Sequence, residues 1–127
     1  PGAMVSAEHI ESVVHRYLEL VATGTAEQIA GLYADDATVE DPVGGGEVHI
    51  GRHAIEGFYR NIENAQRATE LLSLRVAGHE AAFMFAITVG SGEHRIRIEP
   101  IDVMVFNGEG TIASMKAYWS PADVKPL

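Results

Sequence analysis

The sequence predicts an α+β fold in which a curved antiparallel sheet wraps three N-terminal helices on one face. Three observations predict it. Up to about Ile62 the apolar residues recur at helical spacing, interrupted by one short alternating stretch. From Ala68 onward the period changes to two. Turn signals at Gly78-His79, Gly90-Ser91-Gly92 and Asn107-Gly108-Glu109-Gly110 then divide that half into four strands joined by three hairpins. Helices first and a strand meander after them is the segregated order of an α+β chain. With 127 residues and no internal repeat, one domain with one core is expected.

The elements follow in order. Ser6 caps a first helix whose positions Ile10, Val13, Val14, Tyr17 and Val21 form one apolar stripe, ending near Gly24. Thr25 and Gln28 have capping-box spacing and open a second, shorter helix with Ile29, Leu32 and Tyr33 inward. Residues Ala37 to Pro42 alternate as a strand that puts Val39 and Asp41 on one face, and Pro42 should stop its ladder. Gly44-Gly45-Gly46 reads as a mobile loop. Gly51 then precedes a third helix with Ile55, Phe58, Tyr59 and Ile62 on its inner side. Pro1 to Met4 precede the first patterned residue and read as a cloning remnant with the start Met, so the domain is taken as residues 5–127.

In the strand half, alternation puts Phe83, Phe85 and Ile87 on one face of the second strand. It groups Ile96, Ile98, Pro100, Asp102, Met104 and Phe106 on the third, and Ala113, Met115, Ala117 and Trp119 on the last. These sets can line one apolar cavity. A bulge at Pro100 would shift the assignment by one residue.

Composition excludes several function classes. A net charge of −9, with nine Lys and Arg that do not cluster, repels a phosphate backbone, so no nucleic-acid partner is expected. No apolar run reaches the roughly 20 residues of a membrane span, so no membrane partner is expected either. Without cysteine there is no disulfide, thiolate nucleophile or cysteine metal site, which fits a cytoplasmic location. His49 and His53 lie four apart near Glu47, but Gly51 interrupts the helix that would align them, so no metal site is expected and these read as surface histidines. No Gly-x-Ser-x-Gly elbow, phosphate loop or dinucleotide fingerprint is present.

Asp102 is the residue that stands out. A carboxyl group on an apolar face is costly to ionise, so its pKa should rise and it can stay protonated and donate a hydrogen bond. The alternative is an aspartate at a strand kink that accepts backbone N–H bonds. Asp41, before Pro42, is either a turn residue or an inward carboxylate. Tyr17, Tyr33 and Tyr59 are either three core tyrosines or one polar network in an apolar pocket.

The segments Arg16-Tyr17, Tyr33 to Pro42, Gly57-Phe58-Tyr59, Pro100-Ile101-Asp102 and Met115 to Trp119 carry a resemblance. In order and spacing they resemble bacterial ketosteroid isomerases, from about Glu8 to Ser120. The stretch Ala34 to Pro42 by itself signals the wider superfamily of nuclear transport factor 2, a cone-shaped α+β fold with many functions. Tyr17, Asp41 and Asp102 together are more specific. The resemblance implies a cofactor-independent steroid Δ-isomerase of lipid metabolism that moves the C5–C6 double bond of a 3-oxo-Δ5-steroid to Δ4 through a dienolate.

It makes Asp41 the catalytic base, Tyr17 and Asp102 the oxyanion hole, and Tyr33 and Tyr59 the network behind Tyr17. Phe58, Phe85, Met104, Met115 and Trp119 take the steroid-contacting positions. A carboxylic acid kept neutral by apolar surroundings is already known from ketosteroid isomerases, so the face pattern of Asp102 agrees with it rather than adding to it. No metal or other cofactor is implied. A homodimer through the outer face of the sheet is, and Arg75, Arg95, Arg97 and Glu99 alternate on that face or its edge. The Gly44 to His49, Asn61 to Glu70 and Gly90 to Arg97 segments depart from the family near the cavity mouth, which leaves the identity of the steroid open. Two other readings remain: a related lyase, epoxide hydrolase or cyclase acting in the same cavity, and a non-catalytic protein that binds a hydrophobic ligand.

Overall fold

Ser6 accepts a hydrogen bond from His9 N at 3.1 Å and starts helix α1, Ala7–Thr23, in the computed structural model, which describes residues 5–45 and 47–127. The readings of Pro1–Met4 and Gly46 therefore fall outside the described residues. Ile10, Val14, Tyr17, Leu18 and Val21 form the buried stripe of α1, and Gly24 closes it. The Thr25–Gln28 capping box is formed in both directions and opens α2, Ala26–Ala30. That helix is shorter than the apolar spacing implies. Leu32 follows it in a turn, and Tyr33 begins strand β1, Tyr33–Glu40, instead of ending the helix. Tyr33 is fully buried all the same, because a strand that starts inside the core hides its first residue as well as a helix face would.

After β1 the sequence reading has no strand before the third helix, but Val48–Ile50 forms a short β2 antiparallel to β1. Gly51 then turns the chain at φ +91, donating its N–H to Ala37 O at 2.8 Å, and α3 runs Arg52–Glu63. A side chain at such a positive φ would be strained.

The strand half is β3 Arg67–Ala77, β4 Glu80–Val89, β5 Ile96–Ile98, β6 Ile101–Phe106, β7 Ile112–Tyr118 and β8 Lys125–Pro126. The single third strand expected through Ile96 to Phe106 is thus two. Pro100 has no N–H for the ladder, and the break falls at Glu99-Pro100, so β5 and β6 lie end to end along β4. The face assignment survives the break, since Pro100, Asp102, Met104 and Phe106 are all buried. On β7 a register shift near Val105 and Phe106 makes Ile112 the inward residue in place of Ala113, while Met115 and Ala117 face in as expected.

The sheet order is β2-β1-β7-β6-β4-β5-β8, with β3 on the other side of β4. It is antiparallel except where β1 runs parallel to β7. Arg67 ties helix ends to the sheet: its guanidinium donates to Val21 O and Gly24 O at the end of α1, and to Ile62 O and Glu63 O at the end of α3. Cation and helix dipole favour each other there. Replacing Arg67 by Met leaves these carbonyls without their donor, and an unfolding titration is expected to show a loss of about 2–4 kcal/mol.

Candidate active site

The sheet's concave face and the helices enclose an apolar cavity of about 290 Å³, near the low end of pockets that hold a drug-sized ligand. Its lining carries the hydroxyls of Tyr17 from α1 and Tyr59 from α3 and the carboxyls of Asp41, beyond the end of β1, and Asp102 from β6. Each arrives for a local reason. Tyr17 and Tyr59 lie on the buried stripes of their helices. Asp102 points inward by strand alternation, paired with Phe83 of β4 on one side and Ala117 of β7 on the other. Asp41 is held just past the β1 ladder, where Val43 N donates to Ala117 O at 2.8 Å.

Asp102 is 1% exposed, and neither carboxyl oxygen has a hydrogen-bond partner among the described residues. This excludes the strand-kink alternative, which required backbone N–H donors. Burial holds the carboxyl well above the ordinary carboxylate value, and the nearby Asp41 carboxyl adds to the shift. Asp102 is therefore expected to be neutral at pH 7, visible as a carboxylic-acid C=O stretch in difference infrared spectra against Asp102→Asn. A carboxylate signal alone would refute this. The sign for stability follows: a raised folded pKa means that the native state holds a proton the unfolded chain releases. Stability should thus fall as pH rises from about 4 towards the folded pKa.

The three tyrosines form one chain, with Tyr33 Oη to Tyr59 Oη at 2.7 Å and Tyr59 Oη to Tyr17 Oη at 3.0 Å. Burial pushes all three well above the ordinary phenol value, so they are neutral donors. Tyr17 is at the cavity end of that chain. Asp41 is half-buried, and its Oδ1 accepts a hydrogen bond from Trp119 Nε1 at 2.7 Å. Burial raises its pKa, opposed by the Trp119 bond and by His49.

Of the expected wall, Phe58, Phe85 and Trp119 line the cavity, whereas Met104 and Met115 are buried in the core and do not. The sequence reading missed three features. One is the Trp119 bond to Asp41. Another is His49, read as a surface residue, whose ring is half-buried against Phe58 with centroids 4.7 Å apart. The last is an aliphatic outer lining that includes Val21, Ile62 and Val89. Val21 and Ile62 were visible as apolar stripe positions; the other contacts leave no local signal. Among the described residues no group of three or more His, Asp or Glu is placed to hold a metal ion, and no helix is long and apolar enough to cross a membrane.

Comparison with known proteins agrees with this fold. The model of the SnoaL-like domain family matches residues 14–115. A steroid Δ-isomerase of Nocardioides simplex is 51% identical over 121 residues, covering 94% of this chain and 96% of the relative. Among solved structures, SalBIII, an epoxide hydrolase/cyclase-like enzyme of pyran ring formation in polyether salinomycin, matches with a TM-score of 0.84. Its identity is 26% over 94% of this chain and 97% of that one.

Proposed function

The chain belongs to the SnoaL-like domain family, and from its cavity together with the 51% identity to a steroid Δ-isomerase we propose that it is one, moving the C5–C6 double bond of a 3-oxo-Δ5-steroid to Δ4 by intramolecular proton transfer. Its architecture is the nuclear transport factor 2-like cone. The observation that carries the reading is Asp102: a buried acid with no protein partner for either oxygen, in an apolar cavity that also holds Tyr17 and a second carboxyl group, Asp41. Such an acid has a proton to donate and no protein group to take it.

In the proposed reaction the Asp41 carboxylate takes a proton from C4, between the ketone and the double bond. The electron pair moves onto O3 and makes a dienolate, to which the Tyr17 and Asp102 hydroxyls donate. Asp41 then returns the proton to C6. Preorganised donors in a dry site stabilise charge as it forms, without the reorganisation that water would need. Tyr17 has its single proton free for O3 only if it accepts from Tyr59, and Tyr59 in turn accepts from Tyr33. The 3.0 and 2.7 Å spacings show that both bonds are made, and an oxyanion at O3 selects this direction by taking the Tyr17 proton. Burial keeps Asp41 a better proton acceptor than a free aspartate, and Trp119 steadies the carboxylate. Every step is a proton transfer between substrate and Asp41, so the reaction as written involves no cofactor.

The rest of the reading is a single domain over residues 5–127, a cytoplasmic location and a homodimer through the sheet's outer face. Cross-strand partners Ile101 and Tyr118 support the dimer, being 41% and 46% exposed there. Appearance of the conjugated Δ4-3-ketone by ultraviolet absorbance tests the activity, and absence of that product from the folded protein would refute it. In the same assay Tyr17→Phe keeps the ring and removes one donor. Turnover per folded molecule is expected to fall by about one to three orders of magnitude, while stability changes by only about 1 kcal/mol. Likeness to SalBIII favours epoxide opening in the same cavity as the second reading, and turnover of an epoxide without steroid isomerisation would select it.

A further inference from the structure

The cavity is longer than the chemistry requires. On β4 the core residue Phe83, paired to Asp102, is followed by the lining residues Phe85, Ile87 and Val89, which step from buried to partly exposed towards the mouth, with Ile87 paired to Ile98 and Val89 to Ile96. Six residues at about 3.3 Å each make that path roughly 20 Å. A fused four-ring nucleus built from bonds near 1.5 Å spans only about 10 Å from O3 to C17. With O3 at Tyr17 and Asp102, the nucleus ends near the Ile87–Ile98 level, and the Val89–Ile96 level lies beyond it.

That outer level is apolar on both sides. Val89 and Ile96 of the sheet line the cavity together with Val21 and Ile62 of the helices, and among the described residues its one polar lining side chain besides Tyr17, Asp41, Tyr59, Asp102 and Trp119 is the exposed amide of Asn61. Among the described residues its charged lining groups are Asp41 and Asp102 alone. Ile62, Val89 and Ile96 are only partly buried, so an apolar wall is left in contact with water, the arrangement expected of a binding surface for apolar groups. The rim is also held in shape. Gly90 turns at φ +103 where a side chain would collide with His94 O, and its N–H donates to Gln66 O at 2.9 Å.

We infer that the mouth of this cavity is a subsite for an aliphatic chain at C17, so that the protein's substrates are 3-oxo-Δ5-steroids with an apolar side chain rather than nuclei ending in a C17 oxygen. This rests on the isomerase reading for the placement of O3. The lining Val21, Ile62, Val89 and Ile96 receives the chain, and Asn61 marks where it reaches water. Each methylene moved from water into such a wall tightens binding roughly three- to fourfold.

The test titrates the protein with two Δ4-3-ketosteroids, one bearing a linear alkyl chain at C17 and one a C17 ketone, read by the fluorescence of Trp119. The alkyl steroid is expected to bind at least about tenfold tighter, and Ile96→Ser to shrink that ratio. Equal binding, or tighter binding of the ketone, overturns the subsite. Turnover of the matching Δ5 pair is measured beside it. Tighter alkyl binding without turnover supports the subsite and refutes the isomerase reading, whereas turnover of both steroids without a binding preference refutes only the subsite.

Discussion

Asp41→Asn is expected to lower turnover by at least roughly 10²–10⁴, the usual contribution of a positioned general base, while binding of a Δ4-3-ketosteroid stays within a few-fold. Asn has the same shape and can still accept the Trp119 N–H bond that now ends on Asp41 Oδ1 at 2.7 Å. The loop between β1 and β2 therefore keeps its position. What it cannot do is take a proton. The wild-type rate should also fall on the acid side as the base becomes protonated, with a midpoint above that of a free aspartate, because burial raises the Asp41 pKa. Asp41→Asn should abolish that limb. Near-normal turnover in this variant would remove Asp41 as the base and leave its half-buried carboxyl a structural residue.

Asp102→Leu is expected to change activity and stability in opposite directions. The buried carboxyl has no partner on either oxygen, so the native fold carries its desolvation cost without a compensating hydrogen bond, on the order of 1–3 kcal/mol. An apolar side chain of similar size relieves that cost, and the unfolding midpoint should stay level or rise. Turnover should fall by roughly 10²–10³, the loss typical of one oxyanion donor. Asp102→Asn keeps an N–H donor at the same place and should recover part of the lost rate. The decline of stability with rising pH should weaken in the leucine variant, since the Asp102 proton is gone and only the raised Asp41 pKa still contributes to it. Lower stability with full activity would show that the carboxyl holds the fold together instead of serving the substrate.

Much of this site is legible in the amino-acid sequence because its parts are local. Ser6, Thr25 and Gln28 cap helices through bonds that span three residues. The inward faces of Tyr17, Tyr59 and Asp102 follow from periods of 3.6 and 2 that any few consecutive residues reveal. Pro100 interrupts the strand without changing that parity, so Asp102 stays on the apolar face where alternation puts it. The local rules give way where two patterns overlap. Tyr33 fits the end of a helical stripe as well as the start of a strand, and the pairing of Tyr33 with Ile112 of β7 decides between them.

The sequence by itself determined the fold class, the caps and which side chains turn inward, because these depend on neighbours along the chain. Tertiary structure alone decided who meets whom inside. The bond from Trp119 to Asp41 spans 78 residues and that from Tyr17 to Tyr59 spans 42. Both separations are far beyond the reach of any local period; they are set by the parallel pairing of β1 with β7 and by the way the sheet curves round α1 and α3. The same curvature buries Met104 and Met115 in the core while Phe85 and Trp119 reach the cavity. Alternation assigns a side chain to a face, but how deep that face lies at each point depends on what packs against it.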